Sequence, residues 1–85
     1  MKNQIVMYSK PNCPYCDAAK ELFRSKGLAF QEINISENET LRETMILKSQ
    51  RKTVPQIFIG ETHVGGFDDL NLLERQGKLD WLLKE

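Results

Sequence analysis

Apolar residues gather in a short run from Ile5 to Tyr8, closed by Ser9, Lys10, Pro11 and Asn12. A run this short, ended by turn-forming residues, predicts a buried strand over residues 4–8 that opens into a loop. From Cys13 the spacing changes to a helical one, with Tyr15, Ala18, Ala19, Leu22 and Phe23 on an apolar face and Lys20, Glu21 and Arg24 opposite. Pro14 suits the first helical position, where a missing N–H costs nothing. Gly27 is placed to end the helix as a left-handed cap.

Residues 28–35 carry Phe30, Ile33 and Ile35 among polar neighbours and predict a second strand. Ser36-Glu37-Asn38-Glu39 then reads as a capping box, with Ser36 as N-cap of a helix running through Leu41 and Met45 toward Ser49. Gln56-Ile57-Phe58-Ile59 predicts a third strand. Gly60-Glu61 predicts a two-residue hairpin loop, and Thr62-His63-Val64 an antiparallel fourth strand broken by Gly65-Gly66. Phe67-Asp68-Asp69 opens a third helix with acid at its positive end, and Gly77 closes it. Leu79, Leu82 and Leu83, with Trp81 packing beside them, make a short last helix. The order is β-α-β-α-β-β-α plus that helix. The first β-α-β unit calls for a right-handed parallel crossover, and the hairpin adds antiparallel strands. The expected fold is α/β: a four-stranded mixed sheet flanked by helices.

Composition narrows the function. Eighty-five residues fit a single domain over 1–85. Twelve Lys and Arg balance twelve Asp and Glu, so the basic excess of a nucleic-acid binder is missing. No apolar stretch approaches the roughly 18 residues of a membrane span. The N-terminal apolar run is also too short for a signal peptide, so a cytoplasmic protein is expected.

The two cysteines, Cys13 and Cys16, flank Pro14-Tyr15. Joined, they close a loop too small to remove much entropy from the unfolded chain, so a structural staple is the weak reading. Redox chemistry or metal binding remain. At the N-cap, Cys13 faces unpaired backbone N–H groups and the positive end of the helix, with Lys10 three residues back. Each favours the thiolate, the nucleophilic form. Cys16, one turn further in, suits a resolving role. Cys13 then attacks a substrate disulfide, and either Cys16 or a free thiol from solution resolves the mixed disulfide.

Cys13-Pro14-Tyr15-Cys16 after Tyr8-Ser9-Lys10, Thr53-Val54-Pro55-Gln56-Ile57-Phe58, and Gly65-Gly66-Phe67-Asp68-Asp69-Leu70 together resemble the glutaredoxin family. The likeness is to its short bacterial dithiol members and spans nearly the whole chain. The resemblance implies a thioredoxin-like fold and a glutathione-disulfide oxidoreductase with a redox-active Cys13–Cys16 disulfide. Reduced glutathione would be the co-substrate, with no tightly bound cofactor. Clients would be disulfide-containing or glutathionylated proteins, ribonucleotide reductase being one family client, and the protein would work as a monomer.

By the same resemblance Cys13 would carry glutathione as the mixed disulfide, Lys10 would reach its glycine carboxylate, and Tyr15 would line the groove. Thr53, Val54 and Pro55 would form a loop with a cis bond before Pro55, Val54 pairing with the glutathione backbone. Phe67, Asp68 and Asp69 would receive the γ-glutamyl end. Many relatives carry Tyr or Cys at the position of Phe67 and a hydroxyl residue at that of Asp68. An acidic side chain suits the γ-glutamyl amino group, but an ionised Asp68 accepts and does not donate, so toward the γ-glutamyl carboxylate a backbone-only contact is expected there.

Three other readings are open to the same residues. A zinc site needs four ligands, and His63 on a strand is the only histidine available to join the cysteines. A bridging iron–sulfur cluster is the alternative of a different class, and reduction by thioredoxin reductase the alternative electron source. Arg51 and Lys52 read as solvated surface charges, with a place near the glycine carboxylate as the alternative for either.

Overall fold

In the computed structural model, residues 3–84 are described; residues 1, 2 and 85 of the expected 1–85 domain lie outside them. The strands are β1 (Ile5–Ser9), β2 (Gln31–Asn34), β3 (Gln56–Ile59) and β4 (Thr62–Gly65). The helices are α1 (Pro14–Ser25), α2 (Glu39–Ser49), α3 (Phe67–Arg75) and α4 (Leu79–Lys84). The sheet order is β2-β1-β3-β4. β1 runs parallel to β2, and β1/β3 and β3/β4 are antiparallel, which is the expected mixed sheet.

Alternation along β1 sorts the core into two layers. Ile5 and Met7 face one side, where they meet Ala19 and Phe23 of α1, Leu70 of α3, and Leu79 and Leu83 of α4. Val6 and Tyr8 face the other, under Met45, Leu41 and Ile46 of α2. Phe23, Met7, Met45, Ile57 and Leu70 are fully buried, each worth about 1.5–3 kcal/mol of transfer free energy.

The glycine stops behave as expected. Gly27 (φ 67) follows α1, with its N–H bonded to the Arg24 carbonyl and the Leu28 N–H to that of Phe23, a Schellman closure repeated at Gly77 (φ 72). Because Leu28 is used in that closure, β2 begins at Gln31 rather than at residue 28. Gly60 (φ 59) opens the two-residue hairpin loop.

Three local expectations are corrected. Ser36 caps no helix. It sits in a 3-10 turn (Ile35–Glu37) capped by Asn34, whose Oδ1 accepts the Ser36 N–H at 2.8 Å. Asn38, in an extended conformation, caps α2 by accepting the Thr40 N–H at 2.7 Å. Asparagine caps as well as serine does, and here two of them bracket the turn. The buried stripe of α1 runs through Cys16, Ala19 and Phe23, so Tyr15 is exposed (62%) rather than packed. Trp81 is likewise exposed (61%), because α4 buries Leu79 and Leu83, one turn apart, and turns the indole outward.

The two ends of the described chain are tied together. The Asn3 N–H donates to the Leu83 carbonyl at 3.0 Å, and Asn3 Nδ2 to that of Leu82 at 2.9 Å. They lie at the entry end of β1; the cysteines lie beyond its exit.

Candidate active site

β1 ends at Ser9, and the loop after it turns through Asn12, a left-handed residue (φ 56), before Pro14 starts α1. The turn leaves Cys13 as the N-cap, in extended conformation, and its Sγ accepts the Cys16 N–H at 3.2 Å. One of the four N–H groups a helix start leaves without a partner is thus aimed at the sulfur. The Cys13 sulfur also lies 3.9 Å from the Val54 carbonyl, and the Val54–Pro55 bond is cis.

Both cysteines are free thiols, Cys13 6% and Cys16 1% exposed. Burial first, and then the hydrogen bond with Cys13, pushes the Cys16 thiol up to about 12. One sulfur therefore meets an N–H donor at the edge of the fold. The other is kept protonated beneath it.

Two hollows adjoin, divided by Thr53 and Val54, which line both. The first, of about 430 Å³, holds Cys13 and Lys10 with Arg42 and Lys52. The second, of about 340 Å³, is lined by Tyr15, Thr53, Val54, Pro55, Phe67, Asp68 and Asp69, with Arg51. Every residue expected to be catalytic or to bind glutathione, except Cys16, thus borders one of the two; His63 borders neither. Tyr15 and Phe67 stack with centroids 6.4 Å apart and form an aromatic wall.

Arg51 and Lys52 are exposed, as read from the sequence, and each also borders one of the hollows. Arg51 Nη1 lies 3.0 Å from Asp69 Oδ2, which also accepts the Gly66 N–H at 2.9 Å. That N–H first, and then Arg51, holds the Asp69 carboxyl below its ordinary value. Because Gly66 has no side chain, only this half of a capping box exists at α3. Asp69, half-exposed, is thus engaged by groups of the fold itself, whereas Asp68 stays exposed at the rim. Arg51 stands two residues before Thr53-Val54-Pro55, the one sequence signal that marked it. Its partner Asp69, 18 positions on, lies in the Gly65–Leu70 motif, but nothing in the sequence pairs the two.

Polar groups support the dividing wall from below. The fully buried Gln56 donates from Nε2 to the Thr53 carbonyl at 3.0 Å, and its Oε1 meets His63 Nε2 at 2.8 Å. Burial, and then Arg51, lowers the proton affinity of His63, so it packs as a neutral ring against Phe58.

These groups set the acid response of the fold. Glu32 is lowered chiefly by the Ser9 hydroxyl, and Asp69 and His63 are lowered as above. In each case the unfolded chain binds more protons than the fold, so stability rises with pH. We expect it to be full near neutrality and to begin falling below the ordinary histidine value of 6.5. It should fall further below the ordinary carboxylate values of 4.5 and 3.8. Urea midpoints measured from pH 7 to 3 check this, and Asp69→Asn should flatten the lowest part of the curve. A flat profile would refute it.

Comparison with known proteins agrees with this geometry. The glutaredoxin family model matches residues 5–64. Glutaredoxin 3 of Escherichia coli K12 is 54% identical over 80 residues, covering 94% of this chain and 96% of that protein. A glutaredoxin of Pseudomonas aeruginosa is 54% identical over 79 residues, covering 93% and 94%. The solution structure of a glutaredoxin from Brucella melitensis superposes with TM-score 0.86 at 52% identity, over 98% of this chain and 90% of that one. A crystal structure of a buckwheat glutaredoxin–glutathione complex gives 0.88 at 33% identity, over 96% and 77%. With a helix-capping Cys13, a buried Cys16 and a thioredoxin-like sheet behind them, this chain belongs to the glutaredoxin family.

Proposed function

We propose that this chain is a glutathione-dependent thiol–disulfide oxidoreductase that reduces protein disulfides and glutathione mixed disulfides. Cys13 is the nucleophile and Cys16 the resolving thiol. The observation that carries this reading is the asymmetry of the pair, with a backbone N–H aimed at the Cys13 sulfur at 3.2 Å while Cys16 is held as a thiol.

The Cys13 thiolate attacks one sulfur of a substrate disulfide. A bond forms from Cys13 to that sulfur, the substrate S–S bond breaks, and the other sulfur leaves as a thiolate that takes up a proton. For a protein client, Cys16 then attacks Cys13, closing the Cys13–Cys16 disulfide and releasing the reduced client. For a glutathione mixed disulfide, Cys13 keeps the glutathionyl group, and a second glutathione attacks its sulfur and leaves as glutathione disulfide. That route needs no Cys16.

Glutathione suits the two hollows. Lys10 offers a cation for the glycine carboxylate beside Cys13, and Thr53-Val54-Pro55 offers backbone groups for an added strand. The N-terminus of α3 at Phe67, Asp68 and Asp69 offers N–H groups for the γ-glutamyl carboxylate, and the Asp68 carboxylate lies near enough to the rim to meet its amino group. The buckwheat relative, in its glutathione complex, supports the choice of thiol.

The test is glutathione-dependent reduction of a small mixed disulfide, coupled to glutathione reductase, in wild type and Cys16→Ser. Activity is expected in both, with reduction of an internal protein disulfide lost in the variant. Silence in both, with wild type rescued by thioredoxin reductase, would overturn the reading.

A further inference from the structure

The polar positions of α1 hold a residue that borders neither hollow. Lys20 falls on the stripe defined by Cys16, Ala19 and Phe23, one turn after Cys16, and not on the solvent side the apolar pattern assigned to it. Its side chain is only 20% exposed. Nζ lies 3.2 Å from Glu32 Oε2 on the edge strand β2 and 3.6 Å from Asp17 Oδ1. Glu32 Oε2 in turn accepts the hydroxyl of Ser9 at 2.6 Å, and Ser9 is 1% exposed at the exit of β1. Serine, glutamate and lysine thus tie β1, β2 and α1 together one helical turn after Cys16. Surface ion pairs are loosely held; this ammonium is gripped by two carboxylates, one of them anchored to a buried hydroxyl.

We propose that Lys20 is a positioning residue for the resolving step, its fixed ammonium stabilising the negative charge that develops on the Cys16 sulfur as it attacks the mixed disulfide on Cys13. The proposal rests on the functional reading above, in which Cys16 resolves. In this step the Cys16 S–H bond breaks and its sulfur bonds to the Cys13 sulfur. The bond from Cys13 to the substrate sulfur breaks, and the substrate leaves with the electron pair. The proton given up by Cys16 ends on the departing thiol, and Lys20 neither gives nor takes one.

The charges around Cys16 fit this division. Cys13 opposes a Cys16 anion, while the Lys10 backbone N–H and the Lys20 ammonium favour it. Asp17 and Glu32 face Lys20, and Arg24 also acts on Glu32. A buried thiol otherwise held protonated gains most from a cation that does not have to reorganise during the attack.

Lys20→Met keeps the apolar stem and removes the charge. It should slow reduction of an internal protein disulfide by about three- to tenfold and move the half-maximal pH of that activity upward. Reduction of a glutathione mixed disulfide, which bypasses Cys16, should be unchanged, and Lys20→Arg should restore the first activity. In a Cys13→Ser background, the pH dependence of Cys16 alkylation should shift upward on Lys20→Met. Lys20→Gln, which removes the same charge but keeps a polar end, should move both readouts the same way and serves if Lys20→Met folds poorly. Equal losses in the two assays would reduce Lys20 to a packing role, and no loss in either would make it a bystander; both overturn the proposal. A wild-type protein inactive with glutathione would instead overturn the functional reading.

Discussion

Cys13→Ser abolishes reduction of both protein disulfides and glutathione mixed disulfides, with rates falling on the order of a thousandfold or more, to the uncatalysed background. Both routes begin with one bond, from the Cys13 sulfur to the substrate, and no other group can form it. A serine hydroxyl at the same N-cap still accepts the Cys16 N–H, so the helix start is preserved and stability changes little. Cys16 cannot take over, being 1% exposed and held as a thiol at about 12. Steady-state assays on both substrates, beside a urea melt, measure this. Residual activity above a few per cent on either substrate would move the nucleophile elsewhere.

The second large effect falls on a residue with no side chain. Gly65 is buried and holds φ 116, a region open in practice to glycine alone. A Cβ built there collides with the Asp69 carboxylate and comes within 3.0 Å of Arg51 Nη1. Gly65→Ala therefore costs the backbone strain and also displaces the carboxylate that caps α3 and pairs with Arg51. We expect a loss of about 2–4 kcal/mol and a KM for glutathione raised about tenfold or more. Gly27→Ala is the control. Its φ of 67 carries strain, but no atom lies within 4 Å of the added carbon, so it should cost about 1 kcal/mol and leave KM alone. Equal KM values in the two variants would remove Gly65 from the groove.

The architecture was readable because its stops are chemical. Pro14 can begin a helix, Gly27 and Gly77 can end one, and Gly60 can turn a hairpin, each for a backbone reason that survives in any context. What could not be read depends on competition or on distance. Ser36, Asn34 and Asn38 are all able caps, and sequence alone does not say which will be extended when the chain turns. Lys20 looked solvated because a helical face was drawn about Tyr15 rather than about Cys16, and a shift of one position rotates the stripe by about a quarter turn. Arg51 finds Asp69 only once β3, β4 and the hairpin have brought them together. The motif residues were found because each motif is contiguous along the chain, whereas the ion pairs Lys20–Glu32 and Arg51–Asp69 join residues 12 and 18 positions apart.

The hydrogen bonds from Asn3 to Leu82 and Leu83 have a practical meaning for anyone building with this fold. The two ends of the described residues meet at the pole of the sheet away from the thiols. A reporter or second domain carried beyond Asn3 or Lys84 would leave the described fold at that pole, with the approach to Cys13 open. Joining the two ends with a short linker would give a circular chain to reopen at a surface turn such as Gly60-Glu61, with the redox centre untouched.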